Sequence, residues 1–215
     1  MSLSSTSRTR LTRHAERGRT DRADLYAVLD TGLVAHVGLV RDGAPVVLPM
    51  GYGRAGDTLY LHGSTGAGWA RALHGAPVCV TVTHLDGIVY ARSVFDHSMN
   101  YRCAIIHGES RLVTDPGETD SALKAITEQL SPGSWSYARL PTKRELAATT
   151  VLAVDLAEAS VKVRSGGPGD EPEDVAAGGR WAGVLPVQTS FGAPEPGLDL
   201  ETGVDVPAHI RDRRG

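Results

Sequence analysis

Lysine is scarce in this chain. Lys124, Lys143 and Lys162 are the only three among 22 cationic residues; the rest are arginines, set against 25 acids for a net charge of −3. That balance leaves no bulk basic field, so nucleic acid is not an expected partner. Cysteine is nearly absent too. Cys79 and Cys103 both fall in apolar, strand-like runs and read as reduced core thiols, which excludes a disulfide scaffold and suits a cytoplasmic protein. No apolar run reaches membrane-spanning length, and residues 1–20 lack the apolar stretch of a secretory signal, so no membrane partner is expected. Aromatic residues make up only 5% of the chain, which makes each Trp and Tyr a marked position.

Several catalytic signatures are missing. No Lys-Ser/Thr pair follows a glycine turn, which excludes a Walker loop, and the strand-rich order after that turn argues against a dinucleotide βαβ fold. Ser93, Asp96, His97 and Ser98 invite a hydrolase reading, but no G-x-S-x-G elbow presents a nucleophile. His84, Asp86 and His97 lack the tight ligand spacing of a zinc site, so no metal is expected.

Glycine and proline are abundant, at 25 and 12 residues, and fit a turn-rich β fold. Residues 1–20 form a basic polar tail carrying Arg8, Arg10, Arg13, Arg17 and Arg19, solvated or clasping a partner. Asp21 caps a short helix through Leu29. LVAHVGLV (33–40) and PVVLPMGYG (45–53) flank an Arg-Asp-Gly turn, a hairpin pattern. Asp57 to His62 makes the next strand. VCVTVTHL (78–85) and IVYARS (88–93) flank Asp86-Gly87, again a hairpin signal. A long strand is expected over 101–114, bent at Gly108, and a helix from Pro116 with Leu123, Ile126 and Leu130 on one face. Residues 149–164 read as strand, 166–179 as a polar loop, 181–187 as a last short strand, and 188–215 as an extended tail. About seven strands with peripheral helices indicate one mainly β domain over 21–187, an antiparallel barrel.

The stretch DTLYLHGSTGAGWARAL (57–73) carries the most chemistry: a strand, a turn opened by Gly63, Gly66 and Gly68, then a short helix from Trp69. A glycine-rich entry to a helix leaves backbone N–H groups aimed at one spot, suited to a phosphate, although many such turns bind nothing.

Four segments then resemble the pyridoxamine 5'-phosphate oxidase-like, FMN-binding split-barrel family, and within it the nitroimidazole-resistance-like flavin-nucleotide-binding branch. They are VVLPMGYG (46–53), DTLYLHGS (57–64), RSVFDHSMNYRCAIIHGESRLVTDP (92–116) and ASVKVRSGGPGDEPEDVAAGGRWAGVLPV (159–187). The resemblance implies a Greek-key split β-barrel, a homodimer with the flavin at its interface, and oxidoreduction of a small substrate; the catalytic residues stay unassigned. FMN is the implied cofactor, with FAD or a deazaflavin as alternatives; a non-catalytic flavin- or haem-binding protein is the competing function. It also implies that Leu48, Pro49, Met50 and Gly51 run along the ring. Leu61, His62, Gly63 and Ser64 would border it, while Gly66, Gly68 and Trp69 take the phosphate. Asn100, Tyr101, Arg102 and Cys103 would begin the strand that meets the cofactor, and Trp181 would approach from the C-terminal segment.

One departure is plain. Oxidases of this family place Ser-Arg-Lys-type residues in the phosphate turn, whereas this chain has Gly66, Ala67, Gly68 and Trp69 and no cation before Arg71. Arg71, Arg102 or a distant arginine supplies the charge, or backbone amides carry the phosphate, or a larger flavin such as FAD occupies the open turn. Arg102 itself has two readings, a flavin contact or a partner for a carboxylate such as Asp96. Trp181 and Tyr101 likewise stand between cofactor and core.

Overall fold

The computed structural model describes residues 2–213, except for the Arg71 side chain. In chain order it comprises β1 (Gly18–Arg19), α1 (Arg22–Thr31), β2 (Ala35–Arg41), β3 (Ala44–Met50), β4 (Tyr52–Ala55), β5 (Thr58–Ser64) and α2 (Gly68–Leu73). Next come β6 (Pro77–Tyr90), β7 (Ser98–Glu109), β8 (Arg111–Leu112), α3 (Pro116–Leu130), α4 (Ser134–Tyr137) and α5 (Lys143–Ala147). The chain finishes with β9 (Thr149–Asp155), β10 (Glu158–Arg164), α6 (Pro172–Ala177), β11 (Gly183–Pro186) and α7 (Ala208–Arg211).

Two antiparallel sheets make the mainly β split barrel. The larger runs β1-β10-β7-β6-β2-β3, with β11 beside the far half of β6; the smaller runs β4-β5-β9-β8. Alternation along β5 and β9 serves two cores at once, because successive side chains leave opposite faces of a strand. Leu59, Leu61, Leu152 and Val154 meet Val37, Val80, Ile106 and the α1 residues Leu25, Val28 and Leu29 between the sheets. Tyr60, Val151 and Ala153 face the other way, onto Ala122, Leu123 and Ile126 of α3. The α3 backbone lies so close to β4 that a Cβ on Gly53 would sit 2.4 Å from Ile126 N. Gln129 ties α3 to the end of α1, donating to the carbonyls of Leu29 (2.9 Å) and Gly32 (2.6 Å). Among the described residues no helix is long and apolar enough to cross a membrane.

Five expectations need correction. Asp86-Gly87 is not a hairpin: β6 runs straight through it, with a bulge between Leu85 and Gly87. The local turn preference loses because β7 and β11 flank the strand, and the Asp86 carbonyl accepts from Val187 N–H at 3.1 Å. The strand expected over 101–114 begins at Ser98 and breaks at the buried Ser110, beyond which β8 joins the smaller sheet. Residues 149–164 are two strands in different sheets, separated where Asp155 Oδ1 accepts from Ala157 N–H at 2.6 Å. Residues 2–20 do not extend into solvent. Gly18 and Arg19 pair with Lys162 and Val161, Thr6 and Arg8 both donate to the Glu158 carboxylate, and Lys162 Nζ donates to the Arg13 carbonyl at 3.2 Å. The C-terminal segment also returns: the His209 ring lies 5.1 Å from that of Tyr137.

Candidate functional site

Strand β3 is an edge of the larger sheet, and its residues Pro45, Val47 and Pro49 turn their backbone away from β2; the two prolines carry no N–H, so this edge presents carbonyl acceptors and the single amide of Val47. Leu48, Pro49, Met50 and Gly51 at its end form one wall of an open cavity of about 250 Å³; His62 and Trp69 form the other. Trp69 reaches that wall because of Gly63, where a Cβ would lie 2.0 Å from the indole Cζ2. Any larger residue at 63 would displace the ring. His62 faces outward while the neighbouring Leu61 is fully buried in the core. Leu61 therefore does not border the cavity, as the strand alternation requires. Desolvation by the surrounding protein holds the His62 imidazole below its ordinary pKa, favouring the neutral ring.

The glycine turn is less open than its sequence implied. Thr65 N–H donates to the Ala148 carbonyl (3.0 Å), Gly66 N–H to Ser64 Oγ (3.2 Å) and Ala67 N–H to the Ser64 carbonyl (3.0 Å). The amides of Gly68 and Trp69 have no partner among the described residues. A methyl group at Gly66 or Gly68 would meet nothing nearer than 3.6 Å and 3.8 Å respectively, so the chain's own packing does not demand glycine there. The atom 3.8 Å from such a methyl on Gly68 is Nη2 of Arg41. Arg41 ends β2, is exposed, and among the described residues has as an ion pair only a 3.6 Å contact with its neighbour Asp42. Sequence reading missed it, since nothing local links the tip of the β2–β3 hairpin to the glycine turn. The Arg71 side chain, the nearer candidate in sequence, lies outside the described residues.

The second group of candidates lies elsewhere. β7 is separated from β3 by β6 and β2, so Asn100, Tyr101, Arg102 and Cys103 do not reach this cavity within one chain. Arg102 forms a forked pair with Asp86, at 2.9 Å from Nη2 and 3.0 Å from Nε. Its carboxylate is thus Asp86, delivered by the β6 bulge, rather than Asp96. The same pairing holds the Arg102 pKa above its ordinary value, first through the hydrogen bond. Cys103 accepts from Thr83 Oγ1 at 3.4 Å on the opposite face of β7. Asn100 is buried; it donates to the Gly166 carbonyl (3.1 Å) and accepts from Arg164. Trp181 remains 69% exposed beside Tyr90, with ring centroids 5.9 Å apart, so it is not a core residue.

The residues that invited metal and hydrolase readings are engaged otherwise. His84 Nε2 lies 3.0 Å from the Val28 carbonyl, Asp86 holds Arg102, and His97 Nδ1 accepts from Ala91 N–H at 3.0 Å. Ser93 Oγ accepts from Phe95 N–H at 3.2 Å, capping a single 3-10 turn.

Residues 21–163, the α1 to β10 segment that builds both walls of the cavity, match the family model described as pyridoxamine 5'-phosphate oxidase. The chain belongs to this family. Two solved structures resemble it along nearly the whole length. One is a FAD and haem binding protein from Mycobacterium smegmatis, 44% identical, covering 93% of this chain and 98% of that one at a TM-score of 0.88. The other is the flavocytochrome Anf3 from Azotobacter vinelandii, 36% identical over 98% of both chains at a TM-score of 0.91. A structure described as a candidate 5-nitroimidazole antibiotic resistance protein from Bacteroides thetaiotaomicron is 22% identical over 68% of this chain and 86% of that one. At a TM-score of 0.56 it shares the fold alone. Among curated proteins none matches.

Proposed function

We propose that this protein binds a flavin nucleotide, FAD in preference to FMN, and acts as a flavin-dependent oxidoreductase on a small substrate. The carrying observation is the cavity between the β3 edge and Trp69, in a chain 44% identical to a FAD and haem binding protein. The residues fit the group. A free strand edge offers backbone carbonyls and the Val47 N–H to the polar edge of an isoalloxazine ring, and Met50 and Trp69 offer apolar surface. The unpartnered amides of Gly68 and Trp69, with Arg41 beside them, suit phosphate oxygens. Room for a methyl group at Gly66 and Gly68 leaves space for a pyrophosphate to approach the backbone closely. When bound, the flavin supplies the redox chemistry; the chain's groups position it and set its electrostatics. Neutral His62 is placed to donate or accept one hydrogen bond at the cavity mouth.

A homodimer, the assembly that the family resemblance implies, is the other half of this proposal. Val94, Phe95 and Trp181 are 87%, 91% and 69% exposed at the far end of the β6–β7 pair, an apolar patch of the kind that marks an interface. A second copy seated there would bring Asn100 to Cys103 and Trp181 toward its partner's cavity. Haem bound alongside the flavin is the second reading, favoured by the names of the two full-length relatives.

A visible spectrum of the purified protein, followed by heat release and chromatography of the cofactor, tests the proposal. Flavin bands and a released species that phosphodiesterase converts to FMN are expected, and a Soret band would add the haem. A colourless protein that takes up neither FAD nor FMN would overturn it.

A further inference from the structure

A second cavity lies at the opposite edge of the larger sheet, where β1 folds back on β10. It measures about 310 Å³ and is lined by Glu16, Arg17, Arg19, Val163, Arg164 and Ser165. Three guanidinium groups surround it against a single acid, a local cationic excess in a chain whose net charge is −3. Glu16 compensates little: its side chain is 68% exposed, and it is shared by His14 (3.2 Å) and Arg17 (3.6 Å). Neither Arg19 nor Arg164 has a carboxylate partner among the described residues. Arg19 donates to the Gly18 carbonyl at 3.3 Å, while Arg164 donates to Asn100 Oδ1 and to the Gly167 carbonyl at 3.3 Å. Two neutral acceptors therefore orient the Arg164 fork without neutralising it.

The electrostatics agree with that geometry. Desolvation, and then the charge of Arg17, holds the Arg164 pKa below its ordinary value, unlike the carboxylate-paired arginines 54, 102 and 111, whose values are raised. Like charges brought together around a cavity this way cost stability unless an anion joins them. The guanidinium fork matches phosphate oxygens, and three forks exceed what one carboxylate can engage.

We propose that the Arg17–Arg19–Arg164 cavity is a phosphate-binding site that takes a pyrophosphate or phosphate-ester group. Within one chain it lies five strand positions from β3, roughly 24 Å along the sheet at the usual strand spacing, so it is separate from the cavity at Trp69. The same chemistry could come from a free phosphate compound or from the pyrophosphate of a dinucleotide held across two copies. The test distinguishes these sources.

Inorganic pyrophosphate is titrated calorimetrically into the full-length protein at low salt, after its flavin has been dialysed away and again after reloading with FAD. Saturable binding is expected, weakened about tenfold or more in Arg164→Gln and again in the double variant Arg17→Gln/Arg19→Gln, the scale of a lost charge-assisted hydrogen bond. The double variant covers the case in which loss of the Arg164 bridge to Asn100 impairs folding. If FAD loading abolishes the part of pyrophosphate binding that the Arg164 and Arg17/Arg19 variants weaken, the dinucleotide is the source; if that part persists with FAD bound, the ligand is a separate phosphate compound. Absence of saturable binding, or equal affinity in folded variants, would overturn the site. Riboflavin titrated into the same variants reads the Trp69 cavity independently, so failure here is distinguishable from failure of the flavin assignment.

Discussion

A methyl group placed on Gly63 tests the wall of the flavin cavity directly. In the native chain the Trp69 ring fills the volume a side chain would take: a Cβ would lie 2.0 Å from Cζ2 and 2.4 Å from Cη2. Cζ2 must retreat by roughly 1.5 Å and Cη2 by roughly 1.1 Å to reach ordinary carbon contact. Trp69 also packs against the main core, so the ring cannot move without disturbing it. Overpacking of this kind costs about 1–3 kcal/mol, offset by up to about 1 kcal/mol from replacing glycine inside a strand. A net loss near 1–2 kcal/mol for Gly63→Ala corresponds to a melting temperature lower by about 2–8 °C in a chain of this size. Trp69→Leu shortens the obstructing side chain. In that background Gly63→Ala should cost less than about 0.5 kcal/mol, giving a coupling of about 1 kcal/mol between the two positions. Urea denaturation of the four proteins measures it. Additivity within about 0.3–0.5 kcal/mol would refute the contact as the cause.

Other substitutions separate the remaining roles. Arg41→Gln should weaken FMN and FAD binding about tenfold and leave riboflavin unchanged, since only the phosphorylated flavins use that charge; an equal loss for all three would deny the phosphate contact. Arg102→Gln should lower the melting temperature by a few degrees at most, because the Asp86 pair is more than a third exposed and worth about 1 kcal/mol or less. A shifted flavin midpoint potential in that variant, with unchanged stability, would place Arg102 at the cofactor instead. His62 is held below its ordinary pKa, so the folded chain resists a proton that the unfolded chain accepts. Its contribution to stability is therefore complete above the ordinary imidazole value and declines as pH falls toward the folded value. His62→Gln should flatten the stability profile on the acid side of the ordinary imidazole value of about 6.5, and an unchanged slope in urea melts would contradict the desolvation argument. Phe95→Asp, at a position 91% exposed in the single chain, should shift sedimentation from dimer to monomer; an unaltered dimer would remove the β6–β7 tip from the interface.

Local rules placed much of this fold. Asp21 and Asp115 cap α1 and α3 through their own side chains, and Pro116 opens α3 where a missing N–H costs nothing. The alternating runs from Ala35 to Ser64 became strands, and the glycine turn ran into a helix at Gly68, because these preferences depend on neighbours in sequence. The order of segments was enough to suggest the family and, through that resemblance, the six residues that line the first cavity. Tertiary contacts decided the rest. Asp86-Gly87 has the composition of a hairpin and is a bulged strand, since β7 and β11 hold it extended from both sides. Leu61 and His62 are adjacent in sequence, but only the packing of two sheets against β5 says which one meets the core. The cation beside Gly68 comes from Arg41 at a hairpin tip, and the second cavity gathers arginines from β10 and from a segment that composition alone marks as a solvated tail. Local propensity carries no record of such pairings, because they depend on which chain segments the closed sheets bring together.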